Sequence, residues 1–488
     1  MLSNRRAKVV ATIGPASQDR SKLKELIEAG MNVARLNFSH GTHKDHLAVI
    51  KNIRELSHEL RAPVCILQDL QGPKIRVGKF KDGEIFLEEG QKVVVTTRDV
   101  VGEPGLIPSD FKELIVDSKP GTRILLDDGL LELVVDSVDG MDLACNVVYG
   151  GVLKDRKGMN VPGANLSVDC LTEKDLKDLS FGLENQVDFV ALSFVRSSKD
   201  MLKLKEIVQS KNPGTRIVAK IEMFEAIEDL VDIIKSSDGI MVARGDLAIE
   251  VGQARLAYLQ KKIIRECNIH YKPVITATQM LDSMINNPRP TRAEVTDVSN
   301  AILDGTDALM LSAETASGKY PAKCIATMHE IALEIEEEAP RNLTKTDSDI
   351  DSVPKAIAAS ACLTAEKLEA KAIICLTTTG RTATYITSHR PNSRVIAITN
   401  VEQTLNRLEL VWGIQTLKID KYNTSDEAMR QVETLLLKYG VLNAGDKIVM
   451  SMGLPVGDRT KTNSIRVYTV ESEGVRLIDS DLPLRFKS

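Results

Sequence analysis

Aromatic residues are scarce: 4% of the 488-residue chain, with a single tryptophan. That composition suits aliphatic α/β cores better than an all-β sandwich. Cysteine is sparse and odd in number: Cys65, Cys145, Cys170, Cys267, Cys324, Cys362 and Cys375. No two have C-x-x-C spacing, so neither a zinc site nor a disulfide framework is supported. Most lie in apolar runs, where buried thiols are expected. No uncharged apolar span reaches ~18 residues, so no membrane-crossing helix is expected. The start, "MLSNRRAKVV", lacks the apolar stretch of a signal peptide. A reducing, cytoplasmic setting is therefore expected. Net charge is −5, without the basic surface that general nucleic-acid binding needs. A small anionic substrate held by a few local bases remains open. No Ser-His-Asp or Cys-His arrangement is evident.

What is present is a rhythm. Eight β-rich runs recur: "KVVATIG" (8–14), "NVARLNF" (32–38), "PVCILQD" (63–69), "DFVALSFV" (188–195), "RIVAKIE" (216–222), "GIMVARGD" (239–246), "PVITATQM" (273–280) and "ALMLSAE" (308–314). Segments with helical spacing, such as "SKLKELIEAG" and "SKDMLKLKEIVQS", separate most of them. Eight β-α units in succession suggest an α/β fold, a (β/α)8 TIM barrel, with an open doubly wound sheet as the alternative.

The gap after the third run has short alternating strands and Gly/Asp turns, which reads as a small β-barrel inserted on the barrel's active face. It can serve as a lid that excludes water, or be a tolerated insertion without catalytic role. After a polar linker the alternation resumes. The expected domains are a catalytic barrel over 1–71 and 169–340, an inserted all-β lid over 72–168, and a C-terminal open α/β domain over 341–488.

In such a barrel the reactive groups project from the C-terminal ends of the strands. The polar residues there are Arg35, Asn37, Ser39, Asp69, Lys220, Glu222, Arg244, Asp246, Thr276, Thr278, Ser312 and Glu314. Several are two apart, which on a strand places both side chains on one face. Lys220 and Glu222, with Asp246 one strand along, suit a divalent metal such as Mg²⁺ beside a cation. A structural salt-bridge cluster is the alternative. In "MVARGDLAIEVG", Gly245 admits close approach to the backbone, and a following helix would present amides to an anion. Arg35 and Arg76 add permanent positive charge. Anion clamps, a metal and a Lys without a nucleophile point to phosphoryl transfer.

The stretches "ATIGPAS", "ARLNFSHG", "DLQGPKIR", "KGMNVPGA", "VAKIE", "MVARGDL", "TATQML", "PTRAEVTDVSNAILDGTDALMLSAETASGKYP" and "TTTGRTA" occur in that order. Together they resemble the pyruvate kinase family along essentially the whole chain. The resemblance implies transfer of the phosphoryl group of phosphoenolpyruvate to ADP, giving pyruvate and ATP. It also implies Mg²⁺ or Mn²⁺, a mobile lid, a homotetramer and a C-terminal effector domain.

By position, the resemblance gives Lys220 the transferring phosphoryl group. Arg35 and Arg76 take the phosphoryl oxygens, and Glu222 and Asp246 the divalent ion. The amides of Gly245 and Asp246, with the Thr278 hydroxyl, take the substrate carboxylate. Thr278 and Ser312 lie where the enolate is protonated. Asn37, Ser39 and Asp69 match monovalent-cation ligands, and Asn37 also lies beside the nucleotide. Pro15, His40, Arg76 and Lys157 lie near the nucleotide as well.

Three departures stand out: Met223 where many relatives have Asn, Asp45 where several place an aromatic near the adenine, and Lys74. Potassium-requiring members have Glu at that last position, and members with Lys resemble the potassium-independent group. Lys74 is therefore expected to supply the charge of a bound K⁺, which is then not required.

In "LTTTGRTATYI" a Thr-rich turn opens a helix, so Thr377, Thr378, Thr379, Arg381 and Thr382 are candidate ligands for a sugar phosphate or nucleoside monophosphate effector. An unliganded turn is the alternative. Two other functions stay open: another Mg²⁺-dependent barrel enzyme acting on phosphoenolpyruvate or a 2-keto acid (a mutase or aldolase), and a silent metabolite sensor.

Overall fold

The computed structural model describes residues 5–163, 169–338, 350–456, 461–471 and 484. The expected junctions near 168 and 340 lie outside the described residues.

Eight parallel strands close into a barrel: Lys8–Ile13, Val33–Asn37, Cys65–Asp69, Phe189–Leu192, Arg216–Ile221, Gly239–Ala243, Val274–Ala277 and Ala308–Leu311. The doubly wound alternative is thereby excluded for this part of the chain. Strand residues are almost all buried because each strand is covered on both faces, by the barrel interior and by the helical ring. Val10, Val33, Cys65, Leu67, Val218 and Met241 fill the inside. Val9, Ala34, Ile66 and Ile217 face the helices. This alternation is the period-two geometry of a strand.

The strands end sooner than the sequence runs do. The sixth stops at Ala243, the seventh at Ala277 and the eighth at Leu311. Gly245 and Asp246 thus lie in the first turn of a helix, Arg244–Val251. Thr278 lies in a turn, and Ser312 precedes the short helix Ala313–Ala316. The expectation that 244/246, 276/278 and 312/314 share strand faces fails there, because ladder pairing ends at the barrel mouth and the chain coils into the next connection.

Between the third and fourth barrel strands lies an all-β unit. A six-stranded sheet and a two-stranded one share a core that includes Val93, Val95, Ile124, Leu133 and Leu143. The chain enters it through Gly72. Its φ of +67° lies in the left-handed region, and an added Cβ would meet the Phe194 ring at 2.8 Å and Ser193 Cβ at 3.0 Å. Only glycine fits this turn without strain.

The C-terminal part carries a five-stranded sheet in the order Ile414–Lys418, Arg394–Thr399, Ala372–Leu376, Lys447–Met452, Ser464–Thr469. The last strand is antiparallel to its neighbour. Ala372 and Ile374 belong to one core, Ile373 and Cys375 to another, so apolar cores lie on both faces of the sheet. All seven cysteines are free, and six are buried.

Candidate active site

The barrel mouth gathers charges around Lys220, the fifth residue of its strand. Its Nζ donates to Ser193 Oγ at 2.8 Å and lies 2.9 Å from Glu222 Oε1 and 3.4 Å from Asp69 Oδ1. Burial works against the charged amine, but the Asp69 and Glu222 carboxylates outweigh it and hold the Lys220 value well above the ordinary one. Lys220 is therefore a fixed ammonium. A Schiff base would need the neutral amine, so this geometry disfavours the aldolase reading.

Asp69 closes the third strand and is 1% exposed. Its Oδ2 accepts from Arg35 Nε at 2.7 Å, and Arg35 also donates to Thr12 Oγ1 at 2.9 Å. Burial pushes the Asp69 carboxyl up, yet the Lys220 and Arg35 cations prevail and hold it below its ordinary range. Strand register explains the meeting: Thr12 pairs with Arg35, and Asn37 with Asp69, on adjacent strands.

Glu222 follows the fifth strand and is 1% exposed. Its Oε2 accepts from the amide of Phe194 at 2.7 Å. Phe194 sits at φ +55°, an uncommon conformation for an aromatic residue, so local strain is tolerated where this carboxylate is held. Burial, reinforced by the Asp246 carboxylate, raises the Glu222 carboxyl above its ordinary range despite the Lys220 ammonium. A buried carboxylate whose charge is disfavoured beside a second carboxylate fits a hard divalent ion. Among the described residues no group of three or more His, Cys, Asp or Glu could cage a metal. An open site of one or two carboxylates, completed by substrate oxygens and water, suits Mg²⁺.

Beside it, the Gly245 amide donates to Thr278 Oγ1 at 3.0 Å. Thr278 adopts φ +72° and Gln279 φ +53°, which is costly for a β-branched residue. Arg244, unassigned from sequence, secures that turn. It donates to the carbonyls of Ala277 (3.1 Å) and Thr278 (2.6 Å) and pairs with Asp297 at 2.8 Å. Across the mouth the Ser312 amide donates to Glu314 Oε2 at 2.7 Å, and Glu314 Oε1 accepts from Leu281 at 3.2 Å. Glu314 thereby ties the seventh and eighth connections together.

The all-β unit brings in two of the expected residues. Arg76 donates to the Arg156 carbonyl at 3.0 Å, and Lys157 pairs with Asp127 at 2.8 Å. Asn37 Oδ1 accepts from the Ser39 amide at 3.1 Å, while Pro15 and His40 are exposed. Asp45 serves as a helix cap: its carboxylate accepts from the Thr42 amide at 2.9 Å. Thr276 is a packing residue, donating to Thr306 Oγ1 at 2.9 Å. Lys74 Nζ lies 3.7 Å from Asp246 Oδ1, and no ion pair joins it to Asp69 among the described residues. Thr12 and Ser193 escaped the sequence reading although each is a polar residue near the end of a barrel strand, the available signal.

In the C-terminal domain Thr377, Thr378, Thr379, Arg381 and Thr382 all line one cavity of about 630 Å³, together with Lys421 and Lys461.

Comparison with known proteins bears on the family. The pyruvate kinase barrel-domain model matches residues 4–325, and the pyruvate kinase alpha/beta-domain model residues 355–468. A pyruvate kinase of Geobacillus stearothermophilus is 43% identical over 472 residues, covering 96% of this chain and 80% of that one. A pyruvate kinase of Staphylococcus aureus is 43% identical over 476 residues, covering 96% and 81%. The crystal structure of a pyruvate kinase from Cryptosporidium parvum matches with a TM-score of 0.90 at 34% identity, covering 96% of this chain and 97% of that one. With both family models and relatives of this similarity spanning nearly its whole length, the chain belongs to the pyruvate kinase family.

Proposed function

We propose that the barrel mouth transfers the phosphoryl group of phosphoenolpyruvate to ADP, with Lys220 as the central cation. The observation that carries this is the Lys220 amine held between Asp69, Glu222 and Ser193. Phosphoryl transfer asks chiefly for positioning and charge neutralisation. Lys220 meets negative charge that grows on the transferring group. Arg35, oriented by Asp69 and Thr12, and Arg76 hold phosphoryl oxygens. Glu222 and Asp246 hold a divalent ion, Mg²⁺ or Mn²⁺, which when bound supplies Lewis-acid neutralisation of phosphate and carboxylate oxygens. The amides of Gly245 and Asp246, with Thr278 Oγ1, orient the substrate carboxylate. Thr278 and Ser312 lie where a proton reaches the enolate carbon. Pro15, Asn37, His40, Arg76 and Lys157 contact the nucleotide.

Lys74 takes the place of a bound K⁺ near Asn37, Ser39 and Asp69. Its 3.7 Å contact with Asp246 supports a charge at the mouth, although on the divalent-ion side. The cavity with the Thr-rich turn receives a phosphorylated effector. The domains divide as 1–71 with 169–340, 72–168, and 341–488. The chain works in the cytoplasm as a homotetramer, which light scattering tests: a monomeric mass at assay concentration would refute the assembly.

The decisive assay couples pyruvate formation to phosphoenolpyruvate, ADP and Mg²⁺. Activity is expected from the unmodified chain. Lys220→Met should lower turnover by about 10³-fold, the scale of losing a charge-stabilising donor. Retained turnover in that variant would refute the assignment.

A further inference from the structure

A second cavity, of about 400 Å³, lies under the barrel, between the N-terminal ends of its strands and the C-terminal domain. Arg216 begins the fifth strand and Phe189 the fourth, while Asp238 and Pro273 precede the sixth and seventh. All four lie on the face opposite the active mouth. Arg381 and Arg407 supply the opposing wall.

Its lining is out of charge balance. Lys205, Arg216, Lys272, Arg381 and Arg407 face one carboxylate, Asp238. A sixth cation, Lys355, is paired with Asp351 at 2.9 Å. Asp188, which also acts on Arg407, is paired with Arg54 at 2.8 Å. The five cations are oriented by neutral groups or by nothing. Lys205 donates to the Ser236 carbonyl at 3.2 Å, and Lys272 to the carbonyls of Ser237 and Lys235. Arg407 donates to the Gly214 carbonyl at 2.5 Å and to Thr404 Oγ1 at 2.7 Å. The side chains of Arg216 and Arg381 make no ion pair or hydrogen bond with any described residue. The crowding acts on the proton affinity of the buried members. Burial and the Arg216 charge push Arg407 down to about 10. Burial pushes Lys272 down too, with Lys205 and Arg381 adding to it against Asp238. Positive charge gathered in a concave, partly desolvated space attracts anions strongly.

We propose that this cavity is a second anion site, which takes the phosphate of a small phosphate monoester between Arg216, Lys272 and Arg407. The volume suits a ligand of that size. Asp238 would accept from a hydroxyl on the ligand body, so a hydroxylated phosphate monoester fits better than a bare polyanion. Because one wall is the barrel and the other the C-terminal domain, occupancy would hold the two together. The site differs from the Thr-rich cavity. The two share Thr379, Arg381 and Tyr385, but only this one contains Arg216, Lys205 and Lys272. The inference does not depend on the catalytic reading.

The test is equilibrium dialysis of the full chain with radiolabelled inorganic phosphate, counting phosphate bound per chain. Two double variants separate the cavities: K205Q with R216Q for this one, T378A with K421Q for the other. The first should weaken one class of sites at least tenfold. The second should leave that class intact. If K205Q/R216Q binds phosphate like the unmodified chain, or if T378A/K421Q abolishes all binding, the proposal is overturned. Circular dichroism of each variant guards against misfolding. Should R216Q not fold, K205Q with K272M carries the same comparison.

Discussion

The residue that sets the chemistry is a lysine that cannot easily lose its proton. Lys220 needs Asp69 and Glu222 to stay charged in a buried place, and both carboxylates need it in turn. Burial and the Asp246 carboxylate favour the protonated form of Glu222. Protons and a divalent ion should therefore compete for it. Mn²⁺ binding to the substrate-free chain, followed by electron paramagnetic resonance, is expected to weaken as pH falls toward Glu222's raised value. Glu222→Gln should weaken it at least tenfold at neutral pH and flatten that pH dependence. An unchanged Mn²⁺ affinity would remove Glu222 from the ligand set. Lys74 is tested separately: in tetramethylammonium buffer at matched ionic strength, adding K⁺ should change turnover less than twofold. A large saturable rise would show that Lys74 does not replace the ion.

At the scale of elements, the barrel strands deliver their residues to the mouth, and turns held by unusual backbone do the final placing. Phe194 aims an amide at Glu222 from φ +55°. Thr278 receives the Gly245 amide from φ +72°, under the grip of Arg244. Gly72 passes between Ser193 and Phe194 as the chain leaves the barrel. The same turn thus touches the Lys220 partner, the Glu222 partner and the entry to the all-β unit. Gly72→Ala combines a strained φ with a 2.8 Å clash against the Phe194 ring. It should cost about 1–3 kcal/mol of stability, measured by urea unfolding. It should also lower turnover, because Phe194 must move. A variant as stable and active as the unmodified chain would show the turn to be tolerant.

Across the whole molecule, the barrel and the C-terminal domain are joined by buried polar contacts. Arg390 lies 3.4 Å from Asp307 at the foot of the eighth strand and stacks on Trp412 at 4.4 Å. The Trp412 amide donates to the same carboxylate at 3.2 Å, and Lys8 donates to the Ile414 carbonyl at 2.7 Å. The Thr-rich cavity lies in the C-terminal domain that these contacts join to the barrel. The expected outcome is that a phosphorylated effector lowers the phosphoenolpyruvate concentration needed for half-maximal rate. T378A/K421Q should abolish that shift and leave the rate at saturating substrate unchanged. Activation that survives in the variant would place the effector elsewhere.

Much of this architecture is determined by sequence alone. Eight β-rich runs with intervening helical spacing specify eight β-α units, because hydrophobic periodicity is a local property of the chain. The identities of Arg35, Asp69, Lys220, Glu222 and Asp246 were readable for the same reason: each ends or follows an apolar run where a charge needs a partner. Tertiary structure decided what those charges pair with. Ladder register brings Asp69 between Arg35 and Lys220, and the strands' early ends move Asp246, Thr278 and Ser312 into turns. Lys74, read from sequence as a stand-in for K⁺, pairs with Asp246, a partner that sequence did not name. Nothing local could foresee the cations that gather beneath the barrel from residues 205, 216, 272, 381 and 407. Pattern along a chain sets which faces are buried, but only packing sets which distant charges must share one space.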